Sequence, residues 1–122
     1  MPKLRHPDRL GLHLRVVLRD GIAIGPGRAD LLEAIREHGS ISAAGRAMAM
    51  SYKRAWDLIE DMNTAFGAPV IATSTGGPAG GGSHLTETGE AILAAYRRLE
   101  AHAAEAVAGE LRILTGLLKQ EG

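Results

Sequence analysis

The sequence predicts a mainly α-helical fold of the α+β class, and three observations carry that expectation. Leu10, Leu12, Leu14, Val16 and Leu18 alternate strictly with Gly11, His13, Arg15 and Val17, the period of a half-buried strand. Two serine-capped helical segments joined by a short turn fill the region up to Phe66. A glycine-rich run, Gly76 to Gly82, then precedes an apolar-striped helical stretch that continues almost to the end.

Taken in order, the first element is a β-hairpin over residues 10–25, in which Asp20-Gly21 supplies the positive φ angles of a tight turn and Ile22 and Ile24 resume the alternation. Pro26 and Gly27 break it. A first helix from residue 28 carries Leu31, Leu32 and Ile35 on one face and ends at Gly39, a C′ glycine. Ser40 or Ser42 caps a second, short helix through about Met48, and Ser51 caps a third to about Phe66, with Ala55, Leu58, Ile59 and Met62 on its inner face. Two capped helices with a three-residue joint make a helix-turn-helix within a three-helix core, residues 28–66. Val70, Ile71 and Ala72 form a short strand and Ser83-His84-Leu85 its return, so residues 70–85 read as a second hairpin, the wing. From Thr86 as N-cap, a long helix over 86–119 follows, interrupted at Gly109. The whole is one winged helix-turn-helix domain, residues 1–122.

Composition bounds the function. With 122 residues and 45% apolar content the chain suits one domain with its own core. Lys plus Arg and Asp plus Glu are 14 each, so no bulk positive field steers the protein to nucleic acid, and a nucleic-acid face requires local charge segregation. Segregation is present: residues 1–28 hold six basic side chains (Lys3, Arg5, Arg9, Arg15, Arg19, Arg28) against two acids. The absence of cysteine excludes disulfides and thiolate sites. A polar start and no apolar run of about 18 residues point to a cytoplasmic protein away from membranes. His6, His13, His38, His84 and His102 lack ligand spacing, so no metal or cofactor is expected, and no nucleophile elbow or other catalytic constellation marks an enzyme.

The informative segment is residues 39–63, GSISAAGRAMAMSYKRAWDLIEDMN. Ile41, Ala44, Met48, Met50, Ala55, Ile59 and Met62 stand where a helix-turn-helix needs apolar side chains, with small Ala44 at the close crossing. In that arrangement the third helix enters the major groove of double-stranded DNA by its N-terminal end. Ser42, Ser51, Tyr52, Lys53 and Arg54 are then the candidate contacts, with Arg54 able to grip guanine bidentately and Lys53 able to meet phosphate or guanine. Basic residues on an amphipathic helix are ordinarily its solvated face; the flanking helix-turn-helix and glycine run shift the reading to contact. Trp56 reads as a core anchor. Thr75, Gly76, Gly77, Gly81, Gly82, Ser83 and His84 are candidate wing contacts to the sugar-phosphate chain, against the alternative of a plain loop. Gly77 and Gly82 have the spacing of a phosphate-cradling loop, but Ser83 stands where that loop needs lysine, which argues against a nucleotide-binding enzyme.

The terminal helix carries Ile92, Tyr96, Leu99, Leu111, Leu114 and Leu118 along one stripe. At about 45 Å for some 30 residues it exceeds what so small a domain covers, which makes a second copy its natural cover and a homodimer the expected assembly.

GSIS at 39–42, SYKRAW at 51–56 with DLIEDMN after it, and TGGPAGGGSHLTETG at 75–89 resemble the N-terminal DNA-binding domain of the ModE-type molybdate-responsive transcriptional regulators, distant relatives of the LysR-type winged helix. The resemblance spans roughly residues 10–100. It implies a recognition helix at Ser51 to Phe66, a wing at Val70 to Leu85 and a dimeric regulator of transcription. Arg54 departs from the small residue common there in the family. Family members that sense molybdate carry C-terminal oxyanion-binding domains for which 122 residues leave no room, so the effector domain belongs to a separate protein, the effector differs, or DNA binding is constitutive. The alternative to DNA recognition is a winged-helix protein-interaction module, favoured by zero net charge and the long apolar helix.

Overall fold

The computed structural model describes residues 11–74 and 82–120. Its order is β1 (Val16–Arg19), β2 (Ile22–Ile24), α1 (Pro26–His38), α2 (Ile41–Ala47), α3 (Tyr52–Phe66), β3 (Ile71–Ser74), β4 (Gly82–Leu85), α4 (Glu87–Ala106) and α5 (Ala108–Leu117). The strands form two separate antiparallel hairpins, as the winged helix-turn-helix expectation requires.

The N-terminal hairpin turns at Asp20 and Gly21, with φ of 46° and 81°, the left-handed pair such a turn demands. It is shorter than the alternation implies. Val16 pairs with Ile24 and Arg19 with Ile22 across a bulge, while residues 12–15 have no strand opposite them, because β2 ends before Pro26. Pro26 does not lie outside α1 but begins it, since a first-turn residue needs no N–H donor and proline's fixed φ already suits the helix. Gly39 closes α1 at φ 74°, donating its N–H to the Ile35 carbonyl at 2.8 Å.

Leu31, Leu32 and Ile35 of α1 are fully buried. Against them pack Ile41 and Ala44 of α2, Leu58, Ile59 and Met62 of α3, Val70, Ile71 and Leu85 of the second hairpin, and Leu93 of α4. Arg97 of α4 ties back to α1, donating to Asp30 at 2.7 Å and Glu33 at 3.2 Å and, within α4, to Glu100 at 2.9 Å. Burial pushes the Arg97 pKa down, but the hydrogen bonds to Asp30 and Glu100 and the charges of Glu33 and Glu100 outweigh it and raise the pKa overall. A base with a raised folded-state pKa loses its contribution only as pH climbs past that value, so Arg97 itself stays charged through the accessible range.

The expected single C-terminal helix, 86–119, is two helices. The break falls at Val107, with φ −106° and ψ 11°, rather than at Gly109, which lies inside α5. Tyr96, expected on the outer stripe, is instead 4% exposed in its own core, its hydroxyl donating to the Leu14 carbonyl at 2.6 Å. Tyr96 and Leu14 therefore clasp α4 to the segment before β1. Among the described residues no helix is long and apolar enough to cross a membrane.

Two substitutions test these joints. A Cβ at Gly89, in the first turn of α4, would collide with the Val70 carbonyl, so Gly89→Ala is expected to cost about 1–3 kcal/mol in urea unfolding. Tyr96→Phe, which strips Leu14 of its donor while keeping the ring, should cost about 1 kcal/mol by the same measurement.

Candidate nucleic-acid interface

Local capping places the helix-turn-helix. Ser40 caps α2, its Oγ accepting from the Ala43 N–H at 3.0 Å, which decides between the two candidate serines. Ser42 is one residue inside the helix, exposed, and its hydroxyl accepts from Arg46 at 2.9 Å. The joint is residues 48–51, one longer than the spacing suggests. Met48 and Met50 donate their N–H groups to the Ala44 and Gly45 carbonyls, and Ala49 takes a left-handed φ of 55° to make the turn.

The crossing of α2 and α3 depends on two small residues. Ala44 and Ala55 are fully buried, as expected of Ala44. Gly45 matters as well: a Cβ there would lie 3.3 Å from the Met50 carbonyl oxygen and 3.9 Å from Ala55. The sequence signal for it is the adjacent small pair Ala44-Gly45.

The exposed N-terminal end of α3 gathers four of the candidate contacts. Ser51 caps the helix by accepting from the Arg54 N–H at 3.0 Å. Tyr52, Lys53 and Arg54 are exposed, and no acid stands in that first turn. Tyr52 leans edge-on against Trp56, with centroids 6.3 Å apart and planes at 72°. Trp56 is half-buried against the core, as its reading as an anchor predicts. Lys53 bonds to Asp57 at 2.9 Å one turn on, whereas among the described residues no carboxylate pairs with Arg54. Asp57, Glu60 and Asp61 follow on exposed positions, so α3 is cationic at its beginning and anionic beyond it. That polarity, with the helix dipole, favours a polyanion at the N-terminal end and disfavours one lying along the whole helix.

The wing is held by its base. Asn63 of α3 accepts from the Val70 N–H at 2.8 Å, Thr86 donates its hydroxyl to the Pro69 carbonyl at 2.7 Å, and the Ser83 N–H donates to the Gly39 carbonyl at 2.8 Å. Ile71 pairs with Leu85 and Ser74 with Gly82. Of the expected wing contacts, His84 is exposed. Gly82 and Ser83 are half-buried and committed to the C-terminal end of α1, where a Cβ on Gly82 would meet the Gly39 carbonyl at 3.1 Å. Thr75, Gly76, Gly77 and Gly81 lie outside the described residues.

Away from this face, a groove of about 570 Å³ runs between the N-terminal hairpin, the end of α3 and α4, lined among others by Val16, Leu18, Phe66, Ile92 and Leu99. Of the expected dimer residues, Ile92 and Leu99 therefore border the groove, Tyr96 is shared between groove and core, and Leu111 is half-buried. Leu114 and Leu118 stand exposed with Ile113 and Leu117, which the stripe did not include, all four at 62–76% exposure.

Comparison with known proteins agrees with this geometry. Residues 28–90 match the model of the bacterial regulatory helix-turn-helix protein, lysR family. The chain is 48% identical over 90 residues to the molybdenum-pterin-binding protein MopB of Rhodobacter capsulatus, covering 74% of this chain and 33% of that protein. It is 45% identical over 80 residues to the molybdenum transport protein ModE of Azotobacter vinelandii, covering 66% of this chain and 30% of the relative. With the DNA-binding transcriptional dual regulator ModE of Escherichia coli K12 the identity is 36% over 83 residues, 68% of this chain and 32% of the other. The chain thus spans about a third of the length of the curated relatives it matches. Its fold resembles the CbnR DNA-binding domain in a crystallised DNA complex, with a TM-score of 0.54 at 19% identity over 73% of this chain and 95% of that one. The chain belongs to the bacterial regulatory helix-turn-helix proteins of the lysR family, as a domain homologous to the N-terminal part of ModE and not a member of an enzyme family.

Proposed function

We propose that this chain is a transcriptional regulator that binds a roughly palindromic site on double-stranded DNA as a homodimer in the cytoplasm. The observation that carries the reading is the exposed first turn of α3, where Arg54 and Lys53 stand beside a serine cap with no acid in the turn. Inserted end-on into the major groove, Arg54 reads a guanine edge. Lys53 exchanges Asp57 for phosphate, and Ser51 and Tyr52 fix the approach. Ser42 and the wing, from Thr75 through Gly76, Gly77 and Gly81 to His84, add backbone contacts on either side. Gly82 and Ser83 support the wing base rather than touch DNA.

The dimer reading rests on apolar surface. Ile113, Leu114 and Leu117 on α5 and Leu118 at its C-cap stay exposed, and Ile92 and Leu99 border the open groove. A two-fold pairing that covers these faces sets half-sites about 34 Å apart or a multiple of that. The named relatives connect their family with molybdenum, and the part matched here is the helix-turn-helix, so DNA recognition in molybdenum-related control is what we carry over.

Selection of preferred sites from random duplexes, followed by anisotropy titration of the winner against scrambled DNA, tests the proposal. A palindromic winner bound far more tightly than scrambled DNA is expected. The absence of enrichment would turn the reading toward an interaction module, which the exposed α5 face favours. Arg54→Ala should cost about 1–3 kcal/mol on the selected site and relax preference at one base pair; equal weakening on all sequences would make Arg54 a phosphate contact. Sedimentation equilibrium should give twice 12.8 kDa, falling to 12.8 kDa when Leu114 and Leu117 are both changed to Asp.

A further inference from the structure

Several cations of the described residues are held in ion pairs. Arg28 is paired with Asp61, Arg36 with Glu90, Lys53 with Asp57, and Arg97 with Asp30, Glu33 and Glu100. On the helix-turn-helix, Arg46 shares with Arg54 the lack of a carboxylate partner among the described residues, and it alone of the two is held by a neighbouring side chain, the neutral hydroxyl of Ser42. Arg46 is exposed in the last turn of α2, and its side chain reaches back one turn to Ser42, the direction a helical side chain takes. Ile41, Ala44 and Gly45 are the buried residues of α2, so Ser42 and Arg46 occupy its outer side.

We propose that Ser42 and Arg46 form a phosphate clamp on α2, with Arg46 as an anchor for the DNA backbone and Ser42 as its positioning residue. The inference rests on the DNA-binding reading and adds to it a residue that binds by charge without reading sequence. When the third helix of such a fold enters the major groove by its N-terminal end, the preceding helix crosses the sugar-phosphate backbone, so the exposed side of α2 faces phosphate. The chemistry suits that partner. By accepting from Arg46, Ser42 keeps its own O–H as a second donor, and the guanidinium retains further N–H groups, so one phosphate can receive bonds from both residues. The joint sets the position: Ala49 donates its N–H to the Arg46 carbonyl at 3.1 Å and Met50 its N–H to the Gly45 carbonyl at 2.9 Å, so Arg46 is fixed relative to the turn leading into α3.

The test compares wild type, Arg46→Ala and Ser42→Ala by anisotropy on the selected and scrambled duplexes across salt concentrations, with circular dichroism confirming that each variant is folded. Losing one phosphate contact should reduce the slope of log K against log salt by about 0.9 per protomer and weaken binding about five-fold per protomer at 0.15 M salt, equally on both duplexes. Ser42→Ala should weaken binding less and leave the slope near that of wild type. An unchanged slope for Arg46→Ala, or a loss confined to the selected duplex, overturns the clamp while leaving the DNA-binding proposal intact. A wild-type protein without salt-sensitive DNA binding overturns that proposal and the clamp with it.

Discussion

Burial of α1 is the constraint on which the rest of the structure depends. Leu31, Leu32 and Ile35 lie at full burial, each contributing about 1.5–3 kcal/mol through area removed from water, and α1 packs against α2, α4 and β4. Polar ties radiate from the same helix: Arg28 to Asp61 on α3, the Gly39 carbonyl to Ser83 on the wing, and Asp30 and Glu33 to Arg97 on α4. Recognition helix, wing base and C-terminal helix are thereby referenced to one rigid body. Direct ties add to that common support, since Asn63 of α3 holds Val70 and Thr86 at the start of α4 holds Pro69.

A chain with equal numbers of acidic and basic residues can still present a local cationic cluster where basic side chains gather without an acid beside them, as in the first turn of α3. Among the described residues carboxylates offset Arg28, Arg36, Lys53 and Arg97, whereas Arg46 and Arg54, on the two helices of the helix-turn-helix, form no ion pair and stand with Lys53 near the exposed start of α3 and the end of α2. Asp57, Glu60 and Asp61 farther along α3 act oppositely on a polyanion. They confine a favourable approach to the end of the helix, which is how a small basic cluster on a neutral protein can set an orientation as well as an affinity.

The apolar surplus lies on other elements. Among the described residues α5 buries none of its side chains, and the groove beside α4 is open along Val16, Leu18 and Phe66. Exposed apolar side chains gathered on one short helix, and an open apolar groove, are each the kind of surface that marks an interaction face. The break at Val107 separates α5 from α4, so the exposed leucines are carried on a helix of their own and not on an extension of the helix that Tyr96 clamps to the core.

Local chemistry was legible in the residues themselves. Ser51 and Thr86 as caps, Gly39 as a left-handed stop, Asp20-Gly21 as a turn and the inner face Ala55, Leu58, Ile59 and Met62 all act within a few residues of their own position, so the sequence by itself determined most of the elements and the presence of a helix-turn-helix, though not the break at Val107. Other features were decided only by tertiary structure, because they depend on partners distant in the chain. Tyr96 shares a helical stripe with Leu99 yet is buried, since Leu14, 82 residues away, accepts its hydroxyl hydrogen bond. Gly82 and Ser83 belong to the wing's base because the Gly39 carbonyl lies against them, and β1 begins at Val16 because three-residue β2 offers nothing for residues 12–15 to pair with. Periodicity and capping specify which way a side chain faces; what it meets there is set by elements that only folding brings together.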